Sequence, residues 1–324
     1  MSANMERKMF ASKTKNPWWS FGNKNENYVY PNATNEELLV LSKADFPVNL
    51  VDLSQYNEKY DGYYLLENGV TKDILRQCRG RFQPLQTTKF LSKISPLGNI
   101  TDIGAIGKGE KVFFSIDAGS FSVGEGNTHK SYINAVLPHD GTMKITLGPG
   151  IDRIECQNKF NIWKKSLKEG EFLATKQTTS AGDKIDKWVK TFIELQQEVD
   201  NMKDNFLKLA KMKFSHDSQA QIIQKLFDEK DNTRSLNQQK MLAQIIGDNA
   251  SKIPSSQRGT GYDIFNGVTY LTSHESVIKK NTDRLEAVLF GTAQKFAEKA
   301  FNIILGSVPD EVIEEREFAR TITV

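Results

Sequence analysis

From Ile185 to Leu209 the apolar residues Ile185, Trp188, Phe192, Leu195, Val199, Met202, Phe206 and Leu209 follow one another at alternating steps of three and four. Strands repeat every two residues, so this spacing predicts a long helix with one narrow apolar stripe, ending by Lys213. Its other faces carry Lys184, Lys187, Asp200, Lys203 and Asp204, the mixed charges of a solvated surface. A stripe of this kind docks on the chain's own sheet and later helices, or it faces a neighbouring subunit as in a coiled coil. For the second use the seam residues are Trp188, Phe192, Leu195, Val199, Met202 and Phe206. Val189, Ile193 and Leu207 lie beside the seam, so that one flank can cover the sheet while the other meets a second copy.

The chain changes character near residue 180. Before it, short runs rich in β-branched and aromatic residues stand between turn residues, giving strand candidates at Asp52–Leu53, Tyr63–Leu66, Arg81–Leu85, Lys111–Ile116, Tyr132–Leu137, Met143–Leu147 and Arg153–Cys156. Asp140-Gly141 between two such runs is a hairpin signal, and Gly107-Lys108-Gly109 reads as a turn. Helices are predicted at Asn35–Lys43, with Thr34 as N-cap and Glu37 completing a capping box, and at Thr87–Ile94. After residue 180 helical patterns dominate, at Ser218–Asp228, Leu236–Ile246, Tyr262–Ser273 and Asp283–Leu305, with a break over Lys252–Gly261. The expected fold class is α+β: a curved antiparallel sheet crossed by the long helix, with a helical C-terminal layer. The expected units are an N-terminal arm (1–30), a mainly β, α+β core (31–180), a helical region packed on or beside it (181–306) and an acidic tail (307–324). That tail holds Asp310, Glu311, Glu314, Glu315 and Glu317, and reads either as a competitor for a basic groove or as a frayed helix end.

Chemistry-bearing patterns are few. The histidines His129, His139, His216 and His274 show no metal-ligand spacing to one another or to Cys78 and Cys156. Two cysteines far apart in sequence suggest reduced thiols, and Cys156, near Ile154 and Phe160, reads as a packed apolar residue. Gly124–Ser131 misses the phosphate-binding loop pattern at His129, and a strand follows it where a helix is required. The carboxylates form no recognisable pair for acid–base or two-metal chemistry, so no catalytic residue, metal ligand or cofactor is assigned. No apolar run reaches the roughly 18 residues of a membrane span, and the N-terminus lacks a signal-peptide core, which points to a cytoplasmic protein.

Basic residues interleaved with aromatics are the clearest functional signal. Net charge is only +3, but the cations are grouped. Lys72, Arg76, Arg79, Arg81, Lys89 and Lys93 surround Phe82 and Phe90 against the single acid Asp73. Lys159, Lys164, Lys165 and Lys168 surround Phe160 and Trp163, and Arg7, Lys8, Lys13 and Lys15 precede Trp18, Trp19 and Phe21. Cations track phosphates and rings stack bases, which is what sequence-tolerant binding of a single strand requires. The candidate nucleic-acid residues are Lys72, Arg76, Arg79, Arg81, Phe82, Lys89, Lys159, Trp163, Lys164 and Lys165.

The segment Gly150–Phe160, with Arg153, Cys156 and Asn158 at its centre, resembles the core motif of a family encoded by phages and plasmids and known only as a domain of unknown function. The resemblance returns at Asn16–Gly22, Arg81–Gln86, His139–Thr142 and Gly261–Thr269, and so spans most of the chain. It implies a phage or plasmid context and, if phage-encoded, residence in a bacterial cytoplasm. At the level of fold alone, a strand meander backed by a long helix is similar to the ring-forming single-strand annealing proteins of phage recombination. Together these readings lead to an expected function of single-stranded DNA binding and annealing by a homo-oligomer, without cofactor. The alternatives are a phage structural or host-interaction protein, marked by a large apolar patch, and a nucleic-acid enzyme whose carboxylates converge only in three dimensions.

Overall fold

The computed structural model describes residues 10–14, 28–80, 82–123, 127–153, 158–161, 173–190, 192–227, 233–275 and 291–314, without the side chains of 152, 153, 158–161, 173, 190, 192–196 and 198. β1 (Phe10–Ser12) is an edge strand of the large sheet. α1 (Asn35–Leu41) starts at the expected capping box: Glu37 N–H donates to Thr34 Oγ1 at 3.1 Å and Thr34 N–H to the Glu37 carboxylate at 2.7 Å. β2 (Val48–Asp52), β3 (Tyr63–Asn68) and β4 (Ile74–Arg79) then form a separate antiparallel sheet in that order, leaving β4 at an edge. α2 (Thr87–Ile94) has the bounds read from the sequence, and buries Phe90, Leu91 and Ile94.

The large sheet is a meander. β5 (Ile100–Ile106), β6 (Lys111–Ser122), β7 (Thr128–Pro138) and β8 (Ile145–Arg153) follow β1 in order, and both β9 (Asn158–Asn161) and β10 (Leu173–Thr175) pair with β8. All pairings are antiparallel and the sheet stays open. Register shifts at Ile100/Asp102 and Asp117/Ser120 bend it, because a bulged strand carries one residue more than its partner. The two strands expected at Met143–Leu147 and Arg153–Cys156 are one strand up to Arg153, and residues 154–157, with Cys156, lie outside the described residues. The N-terminal Arg, Lys and Trp cluster lies outside them as well.

α3 (Ala181–Lys190) and α4 (Phe192–Lys211) carry the long helical stretch, and α4 crosses β6, β7 and β8. β11 (Met212–Lys213) leads to the helical layer of α5 (His216–Leu226), α6 (Thr233–Gly247), α7 (Gly261–Tyr270) and α8 (Thr292–Leu305). β12 (Glu311–Val312) then pairs with β11, and Asp310 accepts from Ser215 N–H at 2.7 Å. The start of the acidic tail is therefore a strand and a helix cap, where a frayed helix was one expectation.

Two apolar clusters hold these layers together. One joins the three-stranded sheet, α1, α2, α3 and one face of the meander; the other joins α4 to the later helices. The helical stripe is divided between them. Ile185 and Val199 belong to the first, and Met202, Phe206 and Leu209 to the second. Phe206 sits among Phe121, His129, Tyr262, Phe265 and Phe301, with ring centroids 5.4–6.5 Å away. This corrects the subunit seam: Val199, Met202 and Phe206 are 0–3% exposed within the chain itself, and Trp188 packs partly buried on the first cluster. Each such side chain stabilises the fold by roughly 1.5–3 kcal/mol and leaves no surface there for a second copy. Phe192 and Leu195 have side chains outside the described set.

Candidate nucleic-acid interface

A groove of about 1070 Å³ lies between the three-stranded sheet and the β8–β10 end of the meander, with the first turn of α8 at its rim. Each sheet presents an edge strand there, β4 and β10. Among the described residues five cations line the groove: Arg76, Arg79, Lys144, Lys176 and Lys295. No Asp or Glu among the described residues lines it, and among them none of the five cations is in an ion pair. Tyr63 and Phe82 supply its aromatic surface.

The groove's wall is built around Asp140. The Arg76 guanidinium donates from Nη1 to the Asp140 carbonyl oxygen at 2.7 Å, tying β4 to the β7–β8 connection. The Asp140 carboxylate accepts from Lys111 Nζ at 3.0 Å, from Thr142 N–H at 3.1 Å and from Thr142 Oγ1 at 2.8 Å. Both ions of the Lys111–Asp140 pair are about nine-tenths buried, so each depends on the other for its charge to be tolerated. The Glu110 carbonyl accepts from the backbone N–H groups of His139 and Asp140. His139 is fully enclosed, with Nε2 3.2 Å from Thr87 Oγ1 and its ring edge-on to Phe46. Burial pushes its pKa down to about 4 against the opposing pull of Asp140, so the imidazole is neutral at physiological pH.

Gly141 follows with φ +60°, and the connection between β7 and β8 spans His139–Lys144, longer than a two-residue turn. A Cβ on Gly141 would lie 3.2 Å from Phe82 Cε2 and 3.7 Å from Arg76 Nη1. The absence of a side chain lets the Phe82 ring lie close against the backbone and Arg76 reach its carbonyl partner.

A strand was expected at Arg81–Leu85, and its described part, Phe82–Leu85, is not one. Pro84 removes a ladder donor, and the remaining groups bond elsewhere. Gln83 N–H donates to the Gln177 carbonyl at 3.3 Å and Leu85 N–H to Gln177 Oε1 at 2.9 Å. Gln177 Nε2 donates to the Pro138 carbonyl, and the Gln86 side chain bonds both backbone groups of Val48 at 2.9 Å. Gln177 thus clamps the Phe82 segment to β7 beside the groove. Two of the sequence motifs noted above, Arg81–Gln86 and His139–Thr142, meet at this wall.

Arg79 is held without being neutralised. Its Nη2 donates to Tyr63 Oη at 3.1 Å, and its guanidinium carbon sits 5.3 Å from the Tyr63 ring centroid. Cys78 also lines the groove; burial pushes its thiol up more than Arg76 pulls it down, so it is protonated at neutral pH.

Of the expected binding residues, the structure brings together Arg76, Arg79 and Phe82. Lys72 is on a turn with φ +64° and pairs with Glu67 at 3.1 Å, and Lys89 is exposed on α2; neither lines the groove. Lys72 precedes β4 and is held by Glu67, and Lys89 belongs to α2, so closeness in sequence to Arg76 and Arg79 does not bring either to this site. Phe90 is a core residue packed on Phe114. Arg81, Trp163, Lys164 and Lys165 lie outside the described residues, as does the side chain of Lys159, whose backbone pairs with Asp152. Tyr63, Lys144, Lys176 and Lys295 were not anticipated, being isolated in sequence until the sheets assemble them. Among the described residues no group of three or more His, Cys, Asp and Glu side chains converges as a metal site, and no helix is long and apolar enough to cross a membrane.

Fold and groove define an open-sheet α+β protein with a basic, aromatic-lined cleft between two sheets. Residues 75–289 match the family model described as Domain of unknown function (DUF932). The chain belongs to that family. Neither a curated protein nor a solved structure matches it. The matched region contains Arg76, Arg79, Phe82, Lys144 and Lys176, while Tyr63 and Lys295 fall outside it.

Proposed function

We propose that the groove binds a single strand of nucleic acid, single-stranded DNA in particular, as part of strand annealing in phage or plasmid recombination or replication. The observation that carries this reading is the placing of Phe82 in a cleft that, among the described residues, is lined by five cations and no carboxylate. Unneutralised cations attract phosphates, and an aromatic ring takes up an unstacked base irrespective of its identity. Duplex bases are already stacked on one another, so the ring favours the single strand. Gly141 backs Phe82 closely, which fixes the ring for stacking at little entropic cost.

The cleft is at the upper end of small-ligand volumes and has room for a few nucleotides only. Annealing needs a longer stretch held open, and copies of the chain side by side supply it. This assembly uses surfaces other than Val199, Met202 and Phe206. The test is a titration of labelled oligothymidylate and of a duplex of equal length at two salt concentrations, with the mass of the protein measured by light scattering. Preferred, salt-sensitive binding of the single strand is expected. Equal binding of the duplex, or no binding, would overturn the reading.

A further inference from the structure

A second cavity, of about 680 Å³, lies between α5, α6 and the turn entering α7. This is within the size range of small-molecule sites, and its lining shares no residue with the basic groove. Its apolar part comes from the buried Phe214, Ile223 and Ile246, with Ala220 and Ala243 leaving space beside them. Gly247 adds to this room, since a Cβ there would meet nothing within 4 Å.

Three cations share the cavity with these apolar groups: Lys213, Lys240 and Arg258. Arg258 is fixed in place, because Nη2 donates to the carbonyls of Ile246 and Gly247 at the end of α6 and Nε lies 3.7 Å from Asp263 Oδ2. Asp263 is the only carboxylate in the lining among the described residues, and the same oxygen accepts from Gly259 N–H at 2.9 Å. Lys213 donates to the Arg258 carbonyl at 3.0 Å; among the described residues neither it nor Lys240 is in an ion pair. The cavity therefore carries uncompensated positive charge. Gln219 and Gln239 use their amide N–H groups on Phe214 O and Ser235 Oγ, which leaves their amide oxygens as acceptors.

An apolar-walled cavity of this volume, with amide acceptors for ring N–H groups and cations for phosphate, matches a mononucleotide in each of its parts. We propose that this cavity binds a free nucleotide, at a site separate from the strand-binding groove.

The test is calorimetric titration of the full chain with adenosine diphosphate, inorganic pyrophosphate and adenosine. One diphosphate per chain is expected, with pyrophosphate and adenosine each bound at least about tenfold more weakly, as expected when a charge-assisted contact or a ring contact is lost. Lys240→Glu and Ala243→Trp change exposed positions on α6, and each should weaken the nucleotide about tenfold or more while leaving oligothymidylate binding and the melting temperature unchanged. Absence of nucleotide binding to the wild-type chain overturns the proposal. So does binding that neither variant alters, binding that oligothymidylate displaces, or equal affinity for pyrophosphate. Displacement by oligothymidylate would place the nucleotide in the basic groove; the other outcomes leave that groove untouched, since its own ligand is measured separately.

Discussion

Arg76 Nη1 and the Asp140 carbonyl oxygen meet at 2.7 Å across 64 residues of chain, and this contact joins the edge of one sheet to the hairpin of the other. The same aspartate uses its carboxylate on the buried ammonium of Lys111. The form of the groove is thus set by an ion pair that does not line it.

Removing the Lys111 ammonium leaves the buried Asp140 carboxylate without its opposite charge, with the Thr142 N–H and Oγ1 still donating to it. Lys111→Met should lower the unfolding free energy by about 3–5 kcal/mol, the usual cost of breaking a buried pair. Chemical denaturation with intrinsic fluorescence measures it. A midpoint equal to that of wild type would mean that the pair is more hydrated than its nine-tenths burial implies.

Phe82→Ala should weaken oligothymidylate binding by about 1–3 kcal/mol, the range for one stacked base, with little change in salt dependence. Gly141→Ala acts on the same ring indirectly, since its Cβ is placed 3.2 Å from Phe82 and its φ of +60° disfavours a side chain. It should lower stability by about 1 kcal/mol and reduce affinity as well. Normal affinity in a folded Phe82→Ala protein would remove stacking from the account.

The burial of His139 makes stability depend on pH in a defined window. Its pKa is about 4 in the folded chain against 6.5 when exposed. Above 6.5 both states hold a neutral imidazole and the full stability is present. As the pH falls from 6.5 towards 4, the unfolded chain takes up a proton that the folded chain excludes, so stability falls, by up to roughly 3 kcal/mol. His139→Gln should lose less stability than wild type across that interval in parallel denaturation curves. Parallel losses in the two proteins would show that His139 does not govern this range.

Met202→Lys tests the destination of the helical stripe. Met202 is 2% exposed in the second apolar cluster, so an unpaired ammonium there should destabilise the fold by several kcal/mol. The melting temperature should drop sharply. A variant that stays fully stable but becomes smaller by light scattering would restore the stripe to a subunit interface.

Local rules were legible wherever a short stretch decides the outcome. The capping box at Thr34 and the bounds of α2 follow from neighbours in sequence, and the long helix follows from its period. β5 was missed because Asp102 and Gly104 interrupt its apolar run. Long-range contacts account for both: Asp102 accepts from Ser12 Oγ at 2.7 Å, and Gly104 lies where the rings of Phe10 and Phe113 leave no room for a Cβ. β4 was hidden for a related reason, since an edge strand with exposed Arg76, Gln77 and Arg79 lacks a clear apolar alternation. The site divides in the same way. Arg76, Arg79 and Phe82 are close in sequence and were found, whereas Lys144, Lys176 and Lys295 reach the groove only through sheet pairing and helix packing.

Phosphates that occupy the cations of the groove displace counterions, and the salt dependence of binding counts these contacts directly. If all five cations contact a single strand, the logarithm of affinity should fall against the logarithm of salt concentration with a slope of about −3.5. The double substitution Arg79→Gln with Lys176→Gln should reduce that slope by about 1.4, because two contacts are lost. A folded double variant with the slope and affinity of wild type would contradict the account.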